Sequence, residues 1–418
     1  MQMHGVKPLS PYQFAAFRWL LGLYLAFHMA HLVPWGPELF SREGVFPDAS
    51  VSPLSNLFPS LLARLDSPLA VQVFLGLLCL AAVLFAAGRW RPAMALVLWY
   101  GWTCLFNRNL LISNPALPYV GLMLILSALV PSGEGLRVGA LRARDDWSMP
   151  IWLWRTAFFA LMAGYTYSGL MKLTAPSWLN GEAMEILITN PLARDWFVRD
   201  LMVLLPGPLL KGLTWFALAG EVAALPLCLM RKGRFVAWAW MLAMHFGIVL
   251  VVDFADLTLG MVLVHCFVFD PAWLPARAAD KRRIVFFDGV CVLCDAGMRF
   301  LVAEDTGKIL RYAPLQGQTA AGKPEVAQLI EGDGAELESV VYWRGEGNQS
   351  EVLTRSAAIL AICDDLGGLW RALALARFVP RPLRDRVYDF VGRERYRWFG
   401  KMEFCRLPQP GEEDLFLD

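Results

Sequence analysis

Apolar and polar positions are divided unevenly along the chain. Before about residue 275, apolar runs recur with only short polar, Pro- and Gly-bearing breaks, whereas residues 279–418 carry dense charge. A helix needs about 20 mostly apolar residues to cross the hydrocarbon core of a bilayer. Residues 12–33, 67–88, 110–130, 151–172, 212–230 and 235–252 meet that requirement. Residues 92–106, which form a short run, and 257–273, which contain Asp270, are weaker and bring the expected crossings to eight. The pattern predicts a multi-span α-helical membrane domain of about eight helices over residues 1–275, followed by a small α/β domain over residues 282–418.

Composition supports this division. Of 418 residues, 57% are hydrophobic and only 18% charged, with a mean hydropathy of +0.45, whereas charged residues make up about a quarter of an ordinary soluble domain. With the N-terminus inside, one set of loops holds Arg89 and Arg91, then Arg137, Arg142 and Arg144, then Arg231, Lys232 and Arg234, then Arg277, Lys281, Arg282 and Arg283. The opposite loops hold Arg42, Arg64, Arg108, Arg194 and Arg199. The positive-inside rule then puts both termini in the cytoplasm, and a bacterial inner membrane is the expected location. No cleavable leader is expected, because residues 12–33 are long, carry Arg18, His28 and His31, and lack a small-residue cleavage site. A net charge of +1 identifies no partner. Without a Gly-rich phosphate loop or a basic recognition helix, nucleic acid is not an expected partner.

The charged C-terminal part carries the chemistry. Residues 284–287 read as a buried strand, followed by a turn at Asp288-Gly289, then Cys291 and Cys294 at the start of a helix reaching about residue 305. Strands at 308–312, 339–343 and 352–354 and a helix at 356–366 complete a small α/β sandwich. Two cysteines separated by two residues at a strand-to-helix junction are where a thioredoxin-like fold keeps its dithiol. The helix start favours a thiolate at Cys291, the expected nucleophile, and Cys294 would resolve the mixed disulfide. A structural zinc site needs four ligands. No histidine follows His265, and Cys363 and Cys405 are distant in sequence, so no metal is expected. The remaining cysteines, Cys79, Cys104, Cys228 and Cys266, fall in expected spans, which argues against a disulfide scaffold.

The segment Phe287-Asp288-Gly289-Val290-Cys291-Val292-Leu293-Cys294 resembles the signature of the DCC family of thioredoxin-like proteins, with Asp288, Cys291 and Cys294 on its defining positions. Ala313-Pro314-Leu315-Gln316, Thr354-Arg355-Ser356-Ala357, Val387-Tyr388-Asp389-Phe390, Arg393-Glu394-Arg395-Tyr396-Arg397 and Cys405-Arg406 extend the resemblance over about residues 282–408. It implies a thiol–disulfide oxidoreductase with a thiol-containing protein partner.

Ionisable groups inside membrane spans are functional candidates by default because they are costly there. Here they are His28, His31, Arg155, Lys172, Glu221, His245 and His265. His28 and His31 share a helical face, Arg155 reads as an anchor, and Glu221 reads as an interhelical hydrogen-bond partner. Tyr165-Thr166-Tyr167-Ser168-Gly169-Leu170-Met171-Lys172-Leu173, Trp178-Leu179-Asn180-Gly181-Glu182-Ala183-Met184, Asn107-Arg108-Asn109 with Ser113-Asn114, and Met244-His245-Phe246-Gly247 resemble the membrane (HTTM) part of vitamin K-dependent γ-glutamyl carboxylases. The resemblance implies that Lys172 is a base acting on a reduced quinone. The expected topology puts His28, His31 and His245 towards the same outer side as Lys172, so an outward-facing polar pocket is expected there, with Asn109 at a span end as a further binding candidate. A lysine losing water there would lose part of its ammonium stabilisation and be able to accept a proton. The large region that follows the helices in those carboxylases is missing, and a dithiol domain stands in its place. Three functions therefore compete: a membrane redox enzyme handling a quinone or related lipid, a carboxylase-like enzyme, and a non-enzymatic transport or assembly protein.

Overall fold

A computed structural model describes residues 9–52, 58–253, 255–273, 283–332, 340–345, 350–402, 408 and 412–418. Arg277, Lys281, Arg282, Cys405 and Arg406 lie outside these residues. The chain forms two compact units: one is residues 11–270, and the other joins Leu9 and Ser10 to residues 271–418.

Each apolar run of the first unit is built around a helix: α1 (Pro11–Leu32), α2 (Pro68–Ala86), α3 (Arg91–Arg108), α4 (Ala116–Leu129), α5 (Ile151–Lys172), α6 (Gly207–Leu229), α7 (Gly233–Val251) and α8 (Ala255–Phe267). Local signals set some of the ends. Ser67 caps α2 by accepting a hydrogen bond from the Ala70 N–H at 3.3 Å, just before Pro68. Among the described residues, only α2, α6 and α7 are long and apolar enough to cross a membrane, with mean hydropathies of 2.6, 1.6 and 1.6. This corrects the expected eight crossings. At about 1.5 Å per residue, the 14 residues of α4 and 13 of α8 fall short of a roughly 30 Å hydrocarbon core. In the longer α1 and α5, Arg18, Arg155 and Lys172 dilute the apolar run.

Arg18, fully buried near the start of α1, does not face lipid. Its Nε lies 3.4 Å from Glu134, while its other nitrogens donate to carbonyls at the end of α2 and to Leu136 at 2.9 Å. Arg91 joins the same carboxylate at 3.1 Å and donates to the Val130 carbonyl at 2.7 Å. Both arginines thus satisfy helix-end carbonyls that the backbone leaves open. Gly169 fixes a second close approach, between α5 and α6. A Cβ there would stand 2.8 Å from the Val222 nitrogen, so only glycine lets the two backbones meet beside Glu221.

The second unit holds a four-stranded mixed sheet: β1 (Arg283–Phe287), β2 (Arg311–Pro314), β3 (Val341–Arg344) and β4 (Glu351–Thr354), in the order β2-β1-β3-β4. β1 pairs parallel with β2 and antiparallel with β3, which pairs antiparallel with β4. Both faces are covered. Val285, Phe287, Tyr312 and Tyr342 pack with Met298 of α9 (Val292–Glu304) and with Ala358 and Ile362 of α11 (Arg355–Leu366). Ile284, Phe286, Val341 and Trp343 pack with Val326 of α10 (Pro324–Gly332). Two-sided burial explains why β1 reads as an unbroken apolar run without alternation. A last long helix, α12 (Arg381–Phe399), packs on α9 and α11. It was not anticipated, because its charges mask its apolar face.

Candidate dithiol site

The turn after β1 sets up the dithiol. The Asp288 carboxylate accepts the Val290 N–H at 3.2 Å, and the Cys291 N–H points to the Asp288 carbonyl at 3.4 Å. Asp288 thereby folds the chain back onto the start of α9, as aspartate does in turns. Cys291 is the N-cap of α9: its Sγ accepts the Cys294 N–H at 3.3 Å. A sulfur thus takes the place usually held by a serine or aspartate oxygen.

Hydrogen bonding governs the sulfurs. Donation from the Cys294 thiol, together with the Cys294 N–H and nearby Arg395, lowers the Cys291 thiol from 9.0 to about 6, against the opposing effect of burial. Cys294 is pushed up, first by that same hydrogen bond to Cys291 and then by burial. One proton shared between two close sulfurs produces this split, and the pair titrates as a unit.

α12 supplies groups that sequence reasoning left without a role. Arg395 reaches the Asp288 carboxylate at 3.3 Å, and the Tyr396 hydroxyl donates to the same carboxylate oxygen. Gln316, after β2, donates to its other oxygen at 3.4 Å. Asp288 is thus a structural anion whose partners fix the loop. Gly400 then ends α12 at φ +87°, and the chain turns back so that Cys291 pairs with Lys401 and the Met402 N–H donates to the Val290 carbonyl at 2.8 Å. Arg395, Tyr396 and Gln316 sit in segments already singled out, but nothing in their spacing announced that they meet Asp288.

Accessibility separates the two sulfurs. Cys291 is 0% exposed, whereas Cys294 is half-buried. Cys294 forms part of the wall of a cavity of about 370 Å³ between α9, α11 and α12, lined by apolar side chains such as Leu301, Ile359 and Val391. Cys363 also borders it. Asp288, Cys291 and Cys294 place possible ligand atoms within 4.8 Å of one another, and among the described residues no further His, Cys, Asp or Glu joins them. Three ligands, with the carboxylate already engaged, match a structural zinc site poorly.

The sequence-selected residues of the helical unit separate into different places. Lys172 forms an ion pair with Glu221, its Nζ lying 2.6 and 2.7 Å from the two carboxylate oxygens and 4.3 Å from the centre of the Trp178 ring. Ser168 donates to the same carboxylate at 3.3 Å. Two turns earlier on α5, the Tyr165 hydroxyl lies 2.6 Å from Nε2 of His245, whose ring is 5.7 Å from that of His265. Lys172 and His245 are therefore held by partners, Glu221 and Tyr165, that the sequence did not assign to them. Asn109 serves a turn, donating to the Leu39 carbonyl at 2.9 Å and accepting from the Leu111 N–H at 3.0 Å. His28 packs 5.2 Å from the Trp102 ring, while His31 is exposed and stacks on Phe27 at 6.3 Å.

Residues 285–401 match the family described as DCC1-like thiol-disulfide oxidoreductase. The uncharacterized protein YuxK of Bacillus subtilis is 33% identical over 136 residues, covering 32% of this chain and 94% of that protein. A chloroplastic DCC family protein of Arabidopsis thaliana is 34% identical over 132 residues, covering 31% of this chain and 71% of that one. No solved structure matches the chain significantly. The family match begins in β1, so it takes in none of the helical unit, and the resemblance to carboxylase membrane domains rests on the quoted segments alone.

Proposed function

Because this chain belongs to the DCC family through its C-terminal unit, we propose that it is a membrane-anchored thiol–disulfide oxidoreductase whose redox couple is Cys291 and Cys294. The observation that carries this reading is the sulfur pair itself: a Cys291 sulfur capping α9, hydrogen-bonded by Cys294 and lowered to about 6. At neutral pH such a sulfur is largely thiolate, the form that exchanges with disulfides. Asp288, Arg395 and Tyr396 hold the loop rigid around it. A thiol-bearing partner exchanges electrons with the couple, in a thioredoxin-like domain on the cytoplasmic side of a bacterial inner membrane. Titration of the full chain in redox buffers tests this. A reversible two-electron disulfide between Cys291 and Cys294 is expected, lost in Cys291→Ser and in Cys294→Ser. Stoichiometric zinc released only by modifying these cysteines would favour the metal alternative.

A second reading concerns the helical unit and is favoured by one feature: a matched Lys172–Glu221 pair within its helices, where charge is costly. We propose that this region handles a quinone or related lipid, with Lys172 passing a proton in a carboxylase-like manner. Extraction of lipids bound to the purified chain checks this. A stoichiometric quinone supports the reading, and its absence from both wild-type and Lys172→Arg protein removes it.

A further inference from the structure

Resting on the oxidoreductase reading, we infer that the substrate forms its mixed disulfide on Cys294, not on Cys291, and that this substrate is a thiol or disulfide with an uncharged apolar body that fills the cavity beside Cys294. Sequence position assigns the attack to Cys291. In the fold that sulfur is fully buried under the dithiol loop, whose backbone pairs with Lys401 and Met402. Cys294 lies one turn further along α9 and meets the cavity.

The exchange balances as follows. In the oxidised protein a disulfide joins the two cysteines. A substrate thiolate bonds to the Cys294 sulfur, the Cys294–Cys291 bond breaks, and Cys291 departs as a thiolate. A second substrate thiolate then attacks the substrate sulfur, which releases the substrate disulfide and leaves Cys294 to take up a proton. Two substrate thiols lose two electrons and two protons, and the protein disulfide gains the two electrons. Run in reverse, the reduced pair is the reductant: Cys294 loses its proton as it attacks one sulfur of a substrate disulfide and the first substrate thiolate leaves. The Cys291 thiolate then displaces the second from Cys294, so the same mixed disulfide serves either direction. The lower thiol pKa of Cys291 suits it as the leaving sulfur.

The cavity sets the substrate class. Its volume of about 370 Å³ falls within the usual size of small-molecule sites. Leu301, Ile359, Ile362 and Val391 line it, and the one charged wall residue among the described residues, Arg395, is already paired with Asp288. A charged substrate would lose its hydration there without gaining a partner. Room for the occupant is visible at Gly297, where an added Cβ would meet nothing within 4 Å. Gly297→Leu should therefore fill the cavity without disturbing α9, since leucine favours a helix more than glycine does.

The test reacts the oxidised full chain in single turnover with phenylmethanethiol or with 2-mercaptoethanesulfonate, each rate being divided by that thiol's rate with a small soluble disulfide. After an acid quench, mass spectrometry locates the adduct. The expected result is an adduct on Cys294, with a normalised preference for phenylmethanethiol of roughly tenfold to a hundredfold, the effect of burying one such ring. Gly297→Leu should abolish this normalised preference, whatever it does to the absolute rate with either thiol. An adduct on Cys291, or equal preference in wild-type and Gly297→Leu protein, overturns this inference and leaves the oxidoreductase reading standing. An adduct on neither sulfur overturns both.

Discussion

The two units handle buried polar groups in opposite ways. In the helical unit Lys172 and Glu221 match each other, as do Arg18, Arg91 and Glu134, because an ion in apolar surroundings persists only with its counter-charge and hydrogen bonds. In the sheet-bearing unit Asp288 and Arg395 also match each other, but the neighbouring sulfurs are not consumed in the pairing, and Cys294 faces an apolar cavity. A protonated thiol is a small, nearly apolar group that such a wall tolerates without a partner, whereas a carboxylate or ammonium does not. Charge in the first unit is therefore matched within its helices, whereas in the second two sulfurs stand outside the ion pairing.

The sharpest way to break this contrast is to remove one charge from the helical pair. Glu221 is 3% exposed and Lys172 keeps a quarter of its side-chain surface, so Glu221→Gln is expected to cost roughly 2–4 kcal/mol in reversible detergent unfolding. Adding Lys172→Met should restore most of that loss, and the double-mutant cycle measures the coupling. A loss below about 0.5 kcal/mol would mean that the pair behaves like a solvated surface bridge.

A smaller effect should appear at the dithiol. Arg395 favours and Asp288 disfavours the Cys291 thiolate, so their removal should shift its titration in opposite directions. Arg395→Met is expected to raise the value from about 6 by roughly one unit, and Asp288→Asn to lower it, as read from the ultraviolet absorbance of the thiolate. The sign for stability follows from the same shift. A folded-state value depressed from 9.0 to about 6 stabilises the reduced protein fully above the unfolded value, and that stabilisation is lost as pH falls through about 6. The stability advantage of reduced wild-type protein over Cys291→Ser should therefore grow as pH rises from about 6. A flat difference would mean that Cys291 gains nothing from its surroundings.

The smallest effect belongs to the exposed end of α1. His31→Ala should change stability by less than about 0.5 kcal/mol, because the ring only stacks on Phe27 at the surface. A larger loss, or a loss of bound lipid, would restore His31 to a site with His28.

Much of the architecture was legible because it is carried by local periodicity and composition. Each of the eight helices named in the first unit lies on an expected apolar run, and α5 has the expected bounds. How many of them cross a membrane was not legible from the runs alone, since helices shortened by turns or diluted by Arg18 and Lys172 still read as apolar. The dithiol was legible too, because Asp288, Cys291 and Cys294 are close in sequence and a strand-to-helix turn brings neighbours together. The reach of Arg395 and Tyr396, more than a hundred residues away, to the Asp288 carboxylate was not.

The sequence by itself determined the division into an apolar helical part and a charged α/β part, and with it the position of Cys291 and Cys294 at a strand-to-helix turn, because hydrophobic pattern and residue spacing act over short stretches of chain. Tertiary structure alone decided which groups meet and which sulfur is reached. Glu221 lies against Lys172 because Gly169 lets α5 and α6 touch, and Tyr165 meets His245 across two helices. Cys294 opens to a cavity while Cys291 is sealed, because α11 and α12 close around one sulfur and the chain after Gly400 pairs over the other. Burial and access depend on distant segments packing together, and no short-range pattern encodes them.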